Sequence, residues 1–496
     1  MQPQNLDDAE NGVTHPDEQP LLQLPGPSES PNLVAPVKLE SDPSFNSTEE
    51  SKALLPSPPR PAQARPKPQR ANHWIRFRLW FHTYRRFYTF IITFNIVSIF
   101  LTIAGVWRYP RQYTGAFVLG NLLVAILVRN ELFGRLLYLT VNTLFAKWPP
   151  LWFRLNCTAF LQHLGGVHLG CGVSGFLWII VKIVILFEEY TAAHPAVLTM
   201  GILTALTLCI SIASAIPWVR NTHHDTFEQY HRFAGWIGLL FTWAFTILSD
   251  AWDLERHQWN PDGLSVIKQQ DFWFVFAMTI FIIIPWTTVR KVNVEVEIPS
   301  SKAVILKFER GMQQGLLTRI SRTSVKEYHA FGIISEGIGS GKHYLICGVQ
   351  GDFTKSLVDD PPTTIWTREL KFAGVSNTST LYKRGIRVCT GTGLGAALST
   401  CLQNPNWYLI WIGSDQEKTF GPTISGLIND NLEGRVTLWD SKQRGGRPDT
   451  MELIQDTYRM WRAEVVFITS NWTGNKEMME GCKKVGIPAF GTLWDF

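Results

Sequence analysis

The sequence predicts a multi-domain protein: an α-helical membrane bundle, then a small antiparallel β-barrel, then a doubly wound α/β domain. Three observations predict it. Apolar segments recur at 87–107, 114–128, 157–187, 195–217, 232–249 and 272–288, and about 20 apolar residues suffice to cross a bilayer as a helix. From 292 onward, short β-rich runs crowd together between turn residues, the pattern of a small barrel. From about 384, apolar strand-like runs alternate with polar or helical stretches, the pattern of a parallel sheet with crossover helices. A length of 496 residues suits two or three such domains.

Residues 1–70 hold half of the 28 prolines and too little apolar surface to offset ordering, so they read as a disordered cytosolic tail. The basic, aromatic stretch 70–87 (RANHWIRFRLWFHTYRRF) suits the surface of an anionic inner leaflet. The membrane bundle is assigned to 71–291, with six spans preferred and seven left open. Residues 131–146 carry Glu131 and Arg135 and read as an interfacial, amphipathic helix. Basic residues flank the first span, the second connection and the last span, while the loop EEYTAAHP has none. That bias places both termini in the cytosol, with the third and fifth spans running outward. The membrane itself, plasma or internal, is left open.

The barrel is assigned to 292–383, from the runs VNVEVEI, AVILKF, LLTRIS, AFGIIS and HYLICGV. The α/β domain is assigned to 384–496, with strands at IRVCT, YLIWIG, RVTLWD and EVVFIT. A net charge of +5 over this length gives no case for nucleic-acid binding. Seven scattered cysteines contain no Cys-x-x-Cys pair, so neither a disulfide framework nor structural zinc is expected. The first residues are acidic and proline-dotted and do not read as a charged-then-apolar signal peptide.

The stretch 160–187 carries His163, His168 and five glycines inside an apolar run. Ionisable groups in a membrane mark function by default, and glycines let a helix or a flat cofactor approach the backbone. His231 opens the fifth span. In IRVCTGTGLGAALSTC, Gly391, Gly393 and Gly395 lie between a strand and a helix, where backbone N–H groups can meet a pyrophosphate. Gly351, Asp352 and Thr354 form a helix start that could hold phosphate.

A histidine-bearing bundle, a barrel and a glycine-rich α/β domain in this order resemble the ferric reductase and NADPH oxidase superfamily. The likeness is nearest to the ferric-reductase-like transmembrane flavoproteins of filamentous fungi, and covers roughly 75–496. It implies a ferredoxin–NADP reductase-like soluble module that binds FAD and NADPH, with NADH left open. Tyr328-His329-Ala330-Phe331 resembles the family's His-Pro-Phe-Thr/Ser flavin strand, with Ala330 for proline and Gly332 for the hydroxyl residue. Gly351, Asp352 and Thr354 fall at the helix start that faces the FAD pyrophosphate. Ser441, Lys442 and Arg444 resemble the 2′-phosphate clamp, whereas Asp415 would suit the free ribose hydroxyl of NADH. The family's Cys-Gly-Pro motif is replaced by Thr469-Ser470-Asn471. By the same resemblance Ser470 and the terminal aromatics Trp494 and Phe496 are the candidate catalytic residues beside nicotinamide and flavin.

Family members carry two histidines about 13 residues apart on each of two spans, ligating two haems. Here the second member of each pair is missing. The resemblance therefore implies at most one haem b, between His168 or His163 and His231, with a bundle of merely hydrogen-bonded histidines as the alternative. The expected function is an integral membrane oxidoreductase passing electrons from NAD(P)H through FAD to an acceptor at the cytosolic face. The rival is a reductase-like protein of weak or no turnover, acting in signalling, development or secondary metabolism. Electron acceptor and oligomeric state stay open.

Overall fold

The computed structural model describes residues 71–189 and 191–493; the expected tail at 1–70 and the candidates Trp494 and Phe496 lie outside the described residues. The first helix among the described residues is α1 (His73–Trp80), whose first turn is capped by Asn72. Then come α2 (Thr83–Ile103), α3 (Thr114–Leu127), α4 (Glu131–Phe145), α5 (Leu151–Gln162) and α6 (Leu164–Glu188). The series continues with α7 (Pro195–Ser214), α8 (His224–Ala251) and α9 (Gln270–Thr287). Among the described residues, five helices are long and apolar enough to cross a membrane: α2, α6, α7, α9 and the Thr226–Ala251 part of α8. The pair α3 and α4, bent by 70°, supplies a sixth if taken as one span.

Glycines let these helices pack closely. A Cβ on Gly166 would lie 2.2 Å from the Tyr84 carbonyl oxygen, and one on Gly175 would lie 2.8 Å from Leu122 Cδ2. The buried Asn95 finds partners on two neighbouring helices: its Oδ1 accepts from Trp178 Nε1 at 2.9 Å and from Asn121 Nδ2 at 3.0 Å.

The expected single helix over 157–187 is broken. His163 (φ −105°, ψ 17°) ends α5, and α6 starts at Leu164. The approach of Tyr84 to Gly166, three residues on, is a long-range contact that helical periodicity does not encode.

The barrel region has β1 (Val289–Asn293), β2 (Glu295–Ser300), β3 (Ala303–Phe308), β4 (Leu316–Ser321), β5 (His329–Gly332) and β6 (His343–Gly348). A helix, α10 (Asp352–Asp359), precedes β7 (Thr364–Arg368) and β8 (Phe372–Ala373). One sheet runs β8-β4-β7-β1 with β5 also paired to β4, and a second runs β2-β3-β6, all antiparallel. A bridge from Ile334 to Tyr344 links the two, and Leu306, Ile320, Leu345 and Ile365 share one buried core. The run VNVEVEI is not one strand: it crosses between sheets at Val294, whose N–H donates to Thr363 O.

The last domain alternates β9 (Gly385–Thr390), α11 (Leu394–Gln403), β10 (Trp407–Gly413), α12 (Gln416–Asn431) and β11 (Val436–Asp440). It closes with α13 (Thr450–Trp461), β12 (Val465–Thr469), α14 (Trp472–Val485) and β13 (Ala489–Phe490). The sheet order is β11-β10-β9-β12-β13, all parallel, with a separate apolar core on each face. An antiparallel barrel is thus followed by a parallel, doubly wound sheet.

Bundle and module are joined through buried polar contacts. Arg154 of α5 forms two hydrogen bonds to Glu464, of 2.7 and 2.9 Å, and a third to Leu381 O. Glu131 at the start of α4 takes Arg319 of β4 and Arg368 of β7, the latter at 3.0 Å. Glu131 therefore serves an interdomain contact, and α4 is directed to the barrel by it.

Candidate active site

His168 on α6 and His231 on α8 come together, their ring centroids 6.2 Å apart and planes at 68°. His168 Nδ1 lies 2.9 Å from Ala125 O, and His231 Nδ1 lies 3.0 Å from Ser211 O. A carbonyl only accepts, so each Nδ1 carries the proton and each Nε2 keeps its lone pair. Gly172 and Gly235 follow one turn later, and a Cβ on either would meet nothing within 4 Å. Two neutral imidazoles with free Nε2 atoms beside open space can ligate one metal centre.

His163 does not join them. Its Nδ1 lies 2.6 Å from Ala159 O, and its ring lies 4.9 Å from that of His82. His163 lies at the break between α5 and α6, not on the helix that carries His168.

A short chain of contacts leads from His231 to the flavin-type strand. The next residue, Arg232, pairs with Glu228 at 3.0 Å and donates to Lys326 O. Two residues on, Tyr328 is buried, its hydroxyl donating to Ser324 O at 2.9 Å and its ring edge-on to Trp286 at 6.0 Å. The Arg368 guanidinium lies over both rings, 4.5 Å from Trp286 and 5.0 Å from Tyr328.

The His329 ring stacks on Phe353 at 4.0 Å, and Phe331 flanks the same ring at 6.4 Å. His329 Nε2 is buried without a hydrogen-bond partner among the described residues. At the start of α10, Thr354 Oγ1 accepts from Gln350 N and Gly351 N, at 3.1 and 3.2 Å. Thr354 is thus committed to shaping the helix start, while Asp352 is exposed and the space above Gly351 is open.

Gly332 has a steric reason. A Cβ there would lie 2.6 Å from Ala396 Cα and from Gly395 O, at the start of α11. The flavin-type strand therefore packs directly on the glycine loop, and a hydroxyl-bearing residue has no room. Within the loop, Gly391 takes φ +51° over open space, whereas Gly393 lets Thr469 O approach to 2.6 Å of its Cβ direction. Gly395 faces Ile346 of the barrel at 3.5 Å. Only Gly391 is left open towards a ligand; the other two are packing positions.

The order of the parallel sheet reverses between β9 and β12, the switch point at which α/β sheets bind ligands. Thr390 and Ser470 meet there, their hydroxyl oxygens 2.8 Å apart. Asn471 caps α14 by accepting from Gly474 N at 2.9 Å. Beneath them lies Arg387, fully buried, which donates to Ala396 O at 2.8 Å and Thr469 Oγ1 at 3.2 Å. Burial lowers its pKa to about 10. The sequence reading missed Arg387; its signal was a charged residue inside an otherwise apolar strand.

The residues that pointed to opposite nucleotides form one unit. Lys442 Nζ pairs with Asp415 Oδ2. Asp440 fixes both loops by accepting from the backbone N–H groups of Asp415, Gln416, Lys442 and Gln443, at 2.9 to 3.2 Å. Burial alone would raise the Asp440 carboxyl, but these four donors hold it below its ordinary range. Ser441 Oγ donates to Gly413 O at 2.6 Å, and the Arg444 guanidinium lies 4.7 Å over the Trp439 ring. Ser441 is therefore turned inward, while Lys442 stays largely exposed.

Residues 375–496 match the family model described as adenylate-forming reductase 03009, C-terminal domain. Adenylate-forming reductases 06235 and 03009 of Coprinopsis cinerea are each 30% identical over 423 residues. Those alignments cover 84% of this chain and 40% of each relative, so the chain spans well under half of their length. Among solved structures, phthalate dioxygenase reductase aligns with a TM-score of 0.33 at 10% identity, covering 41% of this chain and 68% of its own. Ferredoxin–NADP+ reductase from Plasmodium falciparum aligns with a TM-score of 0.33 at 9% identity, covering 42% and 97%.

Proposed function

We propose that the protein is an integral membrane flavoprotein reductase that takes electrons from NADPH, through FAD and one haem b, to an acceptor at the cytosolic face. The observation that carries this reading is the contact of Gly332 with Ala396, which sets the flavin-type strand against the nucleotide-type loop. A nicotinamide held at the sheet's switch point would then lie beside a flavin held by the barrel, and hydride transfer needs that proximity. The relatives are named adenylate-forming reductases, which joins adenylate formation to reduction. We assign reduction to the matched region, which includes the glycine loop and Ser470.

The residues fit each group by an observation of their own. His329 Nε2, buried without a hydrogen bond among the described residues and 3.7 Å from Glu327 Oε1, and the open start of α10 would suit FAD. Gly391, at positive φ over open space before α11, suits a dinucleotide pyrophosphate. His168 and His231, with tautomers fixed by carbonyls beside two open glycines, would be the residues that hold one haem, which would supply single-electron transfer. When bound, these groups supply hydride acceptance and single-electron transfer.

In this reading the chain's own residues bind and orient. Lys442, once released from Asp415, meets a 2′-phosphate, and Ser441 with Asp440 fixes the loop that presents it. Tyr328, Trp286 and Arg368 close the barrel against the bundle and exclude water from the space between flavin strand and histidines. Ser470, tied to Thr390, borders the nicotinamide position. Both termini are cytosolic, and the membrane is plasma or internal.

One observation favours the second reading, a reductase-like protein of low turnover in signalling or secondary metabolism. Ser470, in the Thr469-Ser470-Asn471 run that replaces the family's Cys-Gly-Pro, already shares its hydroxyl with Thr390. Cofactor stoichiometry tests the proposal. Acid-released flavin and extracted haem should each approach one per chain in detergent-purified protein, and a preparation with neither would refute it.

A further inference from the structure

A cavity of about 810 Å³ lies between α1, the start of α2, the junction of α5 and α6, and α14 with β13. Six of its lining residues are basic, Arg76, Arg78, Arg85, Arg86, Lys476 and Lys483, against a single carboxylate, Glu480. Among the described residues no carboxylate pairs with Arg78, Lys476 or Lys483. Lys483 is held below its ordinary pKa by burial and then by Arg78 and Arg86. Cations gathered against cations call for an anion.

The depth of the cavity identifies that anion. His82 and Thr83 line it at the start of α2, and His163 lines it at the start of α6. These are the ends at which two long apolar helices begin, so the cavity opens at the level of the lipid headgroups. The helix α1 along its side exposes Trp74, Phe77 and Trp80, the aromatic signature of a membrane interface. Leu79, Leu155 and Met479 add apolar lining that suits the first carbons of acyl chains.

We propose that this cavity binds the phosphate headgroup of an anionic phospholipid from the inner leaflet. Bound there, the lipid bridges α1 and α2 of the bundle to α14 of the nucleotide domain, and so couples the two. The inference rests on the membrane placement proposed above, not on any redox activity.

Native mass spectrometry of the detergent-purified full chain tests it, with dioleoyl phosphatidic acid and dioleoyl phosphatidylcholine as probes. One phosphatidic acid should be retained and phosphatidylcholine should not. Lys483→Gln, on the exposed side of α14, should lower retention several-fold, and Arg78→Gln with Lys483→Gln at least tenfold. Arg290→Gln with Lys291→Gln, outside the cavity, should leave retention unchanged. Equal retention of the two lipids, or equal loss in the outside variant, would overturn the site. Displacement by glycerol 3-phosphate would assign the cavity to a soluble phosphate instead and also overturn it. Protein that stays soluble without detergent would refute the membrane placement separately, whatever the lipid result.

Discussion

The rings of His168 and His231 lie 6.2 Å apart, and each Nδ1 is committed to a backbone carbonyl of a different neighbouring helix. The two residues would hold one metal centre between them. His231→Ala should therefore abolish the Soret band and keep the flavin, while His163→Ala should keep both. Absorption spectra of the two purified variants decide it, and a Soret band surviving in His231→Ala contradicts the pairing.

Gly332 separates steric from chemical explanations of the altered flavin strand. Gly332→Thr restores the family's hydroxyl but drives its Cβ into Ala396. Overpacking of this kind costs about 1–3 kcal/mol, so the variant should melt earlier and hold flavin no more tightly. Thermal unfolding and flavin titration check this.

Asp415 and Lys442 neutralise one another, so nucleotide preference depends on which of them a nucleotide displaces. Lys442→Ala should lower kcat/KM for NADPH roughly tenfold, as loss of a charged hydrogen bond of about 1.5 kcal/mol implies, and leave NADH unchanged. Asp415→Asn should raise the NADPH value. Steady-state assays with an artificial acceptor compare the two nucleotides.

His343 makes the barrel sensitive to acid. Its ring stacks on Phe308 at 4.8 Å and its Nδ1 lies 2.5 Å from Arg310 O, and burial lowers its pKa from 6.5 to about 4. Below pH 6.5 the unfolded chain therefore binds the proton that the folded barrel refuses. Stability should fall as pH drops from 6.5 to 4, by on the order of 3 kcal/mol. Denaturant unfolding of wild type and His343→Gln across that window should show the slope in wild type and its reduction in the variant.

Much of this architecture is legible locally. The strands at 303–308 and 316–321 and the glycine turn after β9 fall where short-range pattern puts them, because period and turn chemistry are local. What escapes the sequence depends on distant partners. The break at His163 accompanies the approach of Tyr84 to Gly166. Glu131 looks like the polar edge of an amphipathic helix until Arg319 and Arg368, 188 and 237 residues away, are brought to it. Asp415 and Lys442 look like rival specificity signals and are one ion pair. Likewise Gly393 and Gly395, which resemble phosphate-binding positions, serve packing against Thr469 and Ile346.

The most direct test of the proposed electron path is one anaerobic absorption spectrum of the detergent-purified full chain, before and after NADPH. The flavin band should bleach and the Soret band should shift to its reduced position in the same sample. Flavin that stays oxidised in excess NADPH, or a preparation without any Soret band, would contradict the account.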